Sequence, residues 1–244
     1  MRKVIYRLIA SLILWIFPDN FRVSRSISGF RITFPAKYHL GLFFFRPYEE
    51  TLWSIVQRKV LIPPEPYIFD IGANIGQSTL NMASIFRNKI ISFEPDPRAF
   101  PVLIENIHNN GLQRQVELIN KAVFHFEGKI FLNQDFNTGG RKSSLYNNGE
   151  INTIEVETIS LRYLIEKFHP RFIKIDAENA EWEMLMGCDI DLIKDCFFYI
   201  ETCEANLEKI IMYFSETHNI EEIKIPGFLF NETYSKYHFL IYPN

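Results

Sequence analysis

YIFDIGANIGQ, residues Tyr67 to Gln77, decides how this chain is read. Three apolar residues run into Asp70, and Gly72 and Gly76 follow four residues apart with Asn74 between them. An apolar run that stops at a carboxylate and two glycines reads as a strand ending in a tight turn. Glycine lets the backbone turn sharply and lets another group approach where a Cβ would block it. Helical spacing resumes over Gln77 to Phe86, so the unit is strand, turn and helix, with the first N–H groups of the helix unpaired by the helix itself.

The same unit repeats downstream. Lys89 to Phe93 reads as a strand, Arg98 to Asn109 as a helix closed by Asn110-Gly111, and Val116 to Val123 as a third strand. Strands alternating with helices of this length make βαβ units and a parallel sheet, an α/β fold with helices on both faces. Lys129 to Leu132 and Glu155 to Ile159 read as strands around the polar loop Gln134 to Asn152, whose Arg141, Ser143 and Ser144 suit a lid. Helix Leu161 to Phe168, strand Phe172 to Ile175, helix Glu178 to Met186, strand Phe197 to Ile200 and helix Asn206 to Thr217 follow. Ile220 to Ile225 and Tyr237 to Ile241 close the chain as an antiparallel pair. Upstream, Tyr48 to Val60 has helical spacing and ends at Pro63, Pro64 and Pro66. The expected organisation is a basic, apolar extension over 1–60 and the main domain over 61–244.

Charge is distributed unevenly. Residues 1–48 hold eight Lys/Arg against Asp19 alone, a charge of +7, while the remainder carries −10 within a net −3. A basic arm on an acidic body fits an anionic surface or an acidic partner better than nucleic acid. The apolar run Leu8 to Phe17 is shorter than the ~20 residues that span a bilayer. Over 4–17, an interfacial helix with Trp15 and Phe17 at the headgroups and a helix docked on the domain both fit. Cys188, Cys196 and Cys203 are odd in number and lack C-x-x-C spacing, so they read as reduced thiols in a cytoplasmic protein.

In an open parallel sheet, ligands bind beyond the carboxyl ends of the strands. The first strand ends at Asp70, Gly72, Asn74 and Gly76. Their G-x-x-x-G spacing departs from the dinucleotide pattern G-x-G-x-x-G, and Asp70 suits a cationic ligand group better than a phosphate. Next comes Glu94, placed to accept the hydroxyls of a ribose, with Asp96 as a helix N-cap. At the third strand end, Asn120 or the backbone near Ala122 is a candidate for an adenine edge. A nucleoside with a cationic tail is S-adenosylmethionine.

These segments resemble the FkbM family of class I S-adenosylmethionine-dependent methyltransferases. The likeness runs through Phe69-Asp-Ile-Gly-Ala-Asn-Ile-Gly76, Phe93-Glu-Pro95, Lys121-Ala-Val123 with Gly128, Ser143-Ser-Leu145, and Ile173-Lys-Ile-Asp-Ala-Glu-Asn-Ala-Glu181. It covers roughly residues 66–205. The resemblance implies a Rossmann-like class I fold with a mostly parallel seven-stranded sheet. It implies S-adenosylmethionine as cofactor, with Asp70, Gly72, Asn74, Gly76, Glu94, Asn120 and Ala122 binding it. Asp176, Glu178 and Glu201 are the expected catalytic acids. The family's D-x-E-G is D-x-E-N here, and Asn179 also tolerates the left-handed conformation, so the turn is expected to survive.

The expected activity is O-methylation of a hydroxyl on a sugar, glycan or related metabolite. One carboxylate would remove the proton, and no metal is called for. A glycan or small-molecule substrate, no nucleic acid, and peripheral membrane contact at the inner face through the first residues complete the expectation. The alternatives are a nicotinamide-dependent oxidoreductase on the same fold, against which the glycine spacing argues, and a non-catalytic membrane-associated binding module.

Overall fold

The computed structural model describes residues 21–36, 46–133, 153–224 and 236–244. A hairpin comes first, β1 (Arg22–Ile27) and β2 (Phe30–Pro35), followed by helix α1 (Arg46–Lys59). The alternation then runs β3 (Ile68–Ile71), α2 (Gln77–Ile85), β4 (Ile90–Phe93), α3 (Phe100–Asn109) and β5 (Val116–Ile119). Strands β6 (Ala122–Phe124), β7 (Gly128–Asn133) and β8 (Thr153–Ser160) lead to α4 (Leu161–Phe168), β9 (Phe172–Ile175), α5 (Glu181–Leu185) and α6 (Ile190–Ile193). Last come β10 (Phe197–Cys203), α7 (Glu204–Phe214), β11 (His218–Glu222) and β12 (Lys236–Pro243). The segment 4–17, the loop 134–152 with its lid residues, and the turn region 226–235 lie outside the described residues.

The central sheet has seven strands in the order β11-β12-β10-β9-β3-β4-β5. Five of them, β10-β9-β3-β4-β5, pair in parallel, while β12 runs antiparallel between β10 and β11. The short strands IFDI, IISF and FIKI are buried at every position, because helices cover both faces of the sheet. Successive strand residues point to opposite faces, so each strand feeds two cores. One core takes Ile68, Ile90, Phe172 and Tyr199, packed with Leu80 of α2, Leu103 of α3, Trp53 and Val56 of α1, and Phe34 of the hairpin. The other takes Phe69, Ile91, Ile173 and Phe198, packed with Leu164, Leu185 and Phe214. The hairpin and α1 thus share a hydrophobic core with the sheet.

Asparagines fasten the hairpin to the sheet's helices. Asn106 Oδ1 accepts the Thr33 N–H at 2.8 Å, and its Nδ2 donates to the Ile75 carbonyl at 2.9 Å. Asn110 takes both backbone groups of Arg31 in the same way, so the edge of β2 keeps its polar groups paired. At the hairpin's turn, Ser28 and Gly29 both have positive φ, the geometry that matches the twist of two-residue hairpins.

Two expectations need correction. The strand expected over Val116 to Val123 is broken at Asn120-Lys121: β5 belongs to the central sheet and β6 to a second, three-stranded sheet in the order β6-β8-β7. An apolar run shows no periodicity that distinguishes one strand from two, whereas the Asn120 side chain bends the chain by donating to the Glu94 carbonyl at 2.7 Å. The helix expected from Glu178 begins instead at Glu181, because Glu178 and Asn179 have positive φ of 49° and 87°.

Candidate active site

Strand order reverses between β3, whose successors β4 and β5 lie to one side, and β9, whose successor β10 lies to the other. The crevice beyond their carboxyl ends is therefore where a ligand is expected. A cleft opens there, with about 610 Å³ of empty space including the part open to solvent.

The turn after β3 is built on close approach. Gly72 has φ +75°, and a Cβ there would fall 2.0 Å from the Asp176 carbonyl oxygen. The residue must therefore be glycine for β9 to end beside β3. Gly72 and Ala73 N–H groups both donate to the Phe93 carbonyl at 3.0 Å, which joins this turn to the end of β4. Asn74, at φ 50°, turns the chain back toward α2 and lines the cleft.

Glu94 lies one residue beyond β4 and is only 6% exposed. Its Oε2 accepts the Asn74 N–H at 2.7 Å and its Oε1 accepts the Asp96 N–H at 2.8 Å, so one carboxylate ties the two strand-end loops together. Burial pushes its pKa from 4.5 up to about 7, against the pull of these two N–H groups. Asp96 caps the turn before α3, accepting the Arg98 N–H at 2.8 Å and pairing with its guanidinium at 2.6 Å. The cleft lining also includes the apolar Phe93, Ala122, Val123, Leu132 and Met184, together with Lys121. Asp176 and Glu178 line the same cleft.

Six of the expected site residues thus meet in one cleft: Gly72, Asn74, Glu94, Ala122, Asp176 and Glu178. Four do not line it. Asp70 is fully buried within β3, where the pleat turns its side chain toward α2; Ser78 (2.8 Å) and Thr79 (2.6 Å) hydroxyls donate to it. Gly76, at φ +96°, faces α3, where a Cβ would meet Leu103 Cδ1 at 2.8 Å. Asn120 spends its amide on the Glu94 carbonyl. Glu201 lies within β10 opposite His238 of β12, and its Oε2 is 3.6 Å from His238 Nδ1.

The residue that the sequence reading passed over is Lys174. It sits mid-strand in β9, 4% exposed, directly across from Asp70 in the parallel register. Its Nζ lies 3.3 Å from Asp70 Oδ1 and 3.8 Å from Asp176 Oδ2, and donates to the carbonyls of Gly72 at 2.8 Å and Ile71 at 3.2 Å. Burial opposes its charge, but Asp70, Asp176 and Glu201 together outweigh burial and hold the ammonium above its ordinary pKa. A lysine in a wholly apolar strand was the available signal, since such a charge requires buried carboxylate partners.

The corner after Asp176 is held from below. Glu181, 1% exposed, accepts the Asn179 N–H at 2.9 Å through Oε1. Its Oε2 takes Asn206 Nδ2 at 3.1 Å and the Thr202 hydroxyl at 3.3 Å, and Asn206 also donates to the Asn179 carbonyl at 3.0 Å. This network offsets the cost of two successive L-residues in the left-handed region.

The fold is shared with Rossmann-like class I methyltransferases of known structure. Methanocaldococcus jannaschii TYW2 in complex with AdoMet superposes with a TM-score of 0.54 at 12% identity, over 93% of this chain and 86% of that one. Methanocaldococcus jannaschii Trm5 in complex with adenosine gives 0.52 at 11% identity, over 91% of this chain and 55% of that one. At such identities the likeness concerns the fold alone. Residues 70–230 match the family model of the methyltransferase FkbM domain, and the chain belongs to that family. The methyltransferase sdnD of Sordaria araneosa is 27% identical over 161 residues, which cover 52% of this chain and 62% of that protein. This chain thus spans less than two thirds of that relative's length.

S-adenosylmethionine is the cofactor of this family, and the cleft fits it. The missing Gly72 Cβ lets the end of β9 close on the turn that lines the cleft, Glu94 offers buried carboxylate oxygens suited to ribose hydroxyls, and Phe93, Ala122 and Val123 suit a purine ring. The acids Asp176 and Glu178 in the cleft lining match a ligand that carries positive charge.

Proposed function

We propose that this chain is an S-adenosylmethionine-dependent O-methyltransferase acting on a hydroxyl of a sugar, glycan or related metabolite. The observation that carries the reading is that two carboxylates, Asp176 and Glu178, line the same cleft as Gly72 and the buried Glu94. When bound, S-adenosylmethionine supplies an electrophilic methyl group on a sulfonium. The chain's own task is to align the acceptor, exclude water and take one proton.

Glu178, at the left-handed corner and lining the same cleft as Asp176, is the proton acceptor in this reading. Glu201, turned toward His238, is left with a supporting role on the acceptor side. The net negative body of the chain, −10 beyond residue 48, supports a carbohydrate-like acceptor over nucleic acid. No helix among the described residues is long and apolar enough to cross a membrane. Contact of the basic first residues with the inner face of a membrane remains part of the proposal, resting on the charge asymmetry.

A labelled methyl-transfer screen against cell-derived glycans and lipids tests the activity. The expected product is a base-stable methyl ether whose formation is lost in Glu178→Gln. Label recovered on nitrogen, or released by mild base as from a methyl ester, would overturn the hydroxyl assignment. Flotation with anionic vesicles, comparing the full chain with one lacking residues 1–20, tests the membrane contact; equal partitioning would exclude it.

A further inference from the structure

We infer that Asp176, and not Asp70 within β3, is the carboxylate that reads the positive charge of the methyl donor, and that Lys174 is the positioning residue that holds it beside Gly72. The inference deepens the methyltransferase reading and rests on S-adenosylmethionine being the donor.

Four observations carry it. Asp70 is fully buried behind the turn, with its oxygens taken by the Ser78 and Thr79 hydroxyls and by the Lys174 ammonium, so its charge is matched before any ligand arrives. Asp176 lines the cleft with its side chain 31% exposed, one residue beyond the strand that flanks the reversal point. Its backbone is fixed against the turn after β3, since its N–H donates to the Ile71 carbonyl at 3.2 Å and its carbonyl oxygen would lie 2.0 Å from a Gly72 Cβ. Finally, the Lys174 Nζ reaches both acids and the Ile71 and Gly72 carbonyls, so one buried ammonium sets the spacing between the turn after β3 and the end of β9.

Glu94 and Glu178 also line the cleft, but Glu94 is spent on two loop N–H groups and Glu178 is the proton acceptor of the reading above. Charge recognition beside Gly72 therefore falls to Asp176. The arrangement has a consequence for turnover. Transfer converts a sulfonium cation into a neutral thioether, so the attraction to Asp176 disappears with the methyl group and favours exchange of product for fresh donor.

Donor and product differ by one methyl group and one charge, so the ratio of their affinities isolates the effect. Calorimetric titration gives Kd for S-adenosylmethionine and S-adenosylhomocysteine with the full chain. Asp176→Asn is expected to lower the ratio Kd(homocysteine form)/Kd(methionine form) by about tenfold, the scale of a charge pair at a partly solvated cleft. Asp176→Glu, which keeps the charge, is expected to hold that ratio within about twofold of the starting protein, on the same electrostatic reasoning. A change in folding or cleft shape moves both affinities together and leaves the ratio alone. An unchanged ratio in Asp176→Asn overturns the inference, as does an equal loss in Asp176→Glu. Failure of the unmodified chain to bind either ligand would instead overturn the donor assignment.

Discussion

Glu94 and Asn74 meet across two strand ends, the Glu94 Oε2 accepting the Asn74 N–H at 2.7 Å while Oε1 accepts from Asp96 at 2.8 Å. The loops that frame the cleft are therefore linked by one buried carboxylate. Glu94→Gln replaces one acceptor with an amide NH2 that faces an N–H donor. We expect a loss of about 1–3 kcal/mol in folding stability from the unsatisfied pair and a fall of at least about tenfold in cofactor affinity. Urea unfolding and calorimetric titration check the two effects separately.

The same residue makes stability depend on pH. Burial raises the Glu94 pKa in the folded chain from 4.5 to about 7, so between these values the folded protein holds a proton that the unfolded chain has released. Its contribution is most favourable below about 4.5 and is lost as pH rises toward 7, by something of order 3 kcal/mol. The melting temperature of the unliganded chain should thus fall across this range relative to Glu94→Gln. Parallel curves for the two proteins would show that the carboxylate is already ionised when buried.

Lys174 is the counterion of a fully buried acid. Lys174→Met leaves Asp70 without its cation, and we expect a destabilisation of about 3–5 kcal/mol. Adding Asp70→Asn removes the orphaned charge and should recover a substantial part of that loss. A double-mutant cycle by chemical denaturation measures the coupling, and additive losses would mean the pair is not energetically joined.

Gly72 and Gly111 both have positive φ, yet only Gly72 is closely approached, by the Asp176 carbonyl. Gly111→Ala should cost only about 1 kcal/mol, the conformational penalty alone. Gly72→Ala must also separate β3 from the end of β9, and we expect it to cost more than about 3 kcal/mol and to abolish cofactor binding. Equal losses at the two positions would refute the close-approach argument.

Asn179 stands at φ 87° and contributes to the corner network through its backbone groups. Asn179→Gly keeps those groups and relieves the left-handed strain, so stability should be unchanged or rise by up to about 1 kcal/mol. Glu181→Ala strips the Asn179 N–H and the Asn206 amide of an acceptor, and should cost about 3 kcal/mol. Thermal unfolding of both variants tests the contrast.

Much of this was legible in the residues. The glycine spacing after Phe69, the alternation of strand and helix, and the acids at Glu94, Asp176 and Glu178 led to an α/β sheet with a cleft at its carboxyl edge, and the structure places those acids together there. Asn179 was expected to accept the left-handed turn and does. The split between β5 and β6 was not legible, because it depends on a side chain from Asn120 reaching a carbonyl 26 residues away in sequence.

Local patterns are sufficient to set where strands end, since apolar runs, glycines and acids mark those points by their own conformational and solvation preferences. They do not decide which way each acid at the sheet's carboxyl edge faces. Glu94 and Asp176 lie one residue beyond their strands and reach the cleft, while Asp70 and Glu201 lie within theirs and obey the pleat. That difference of a single residue, together with the register that sets Lys174 against Asp70, exists only once neighbouring strands have paired.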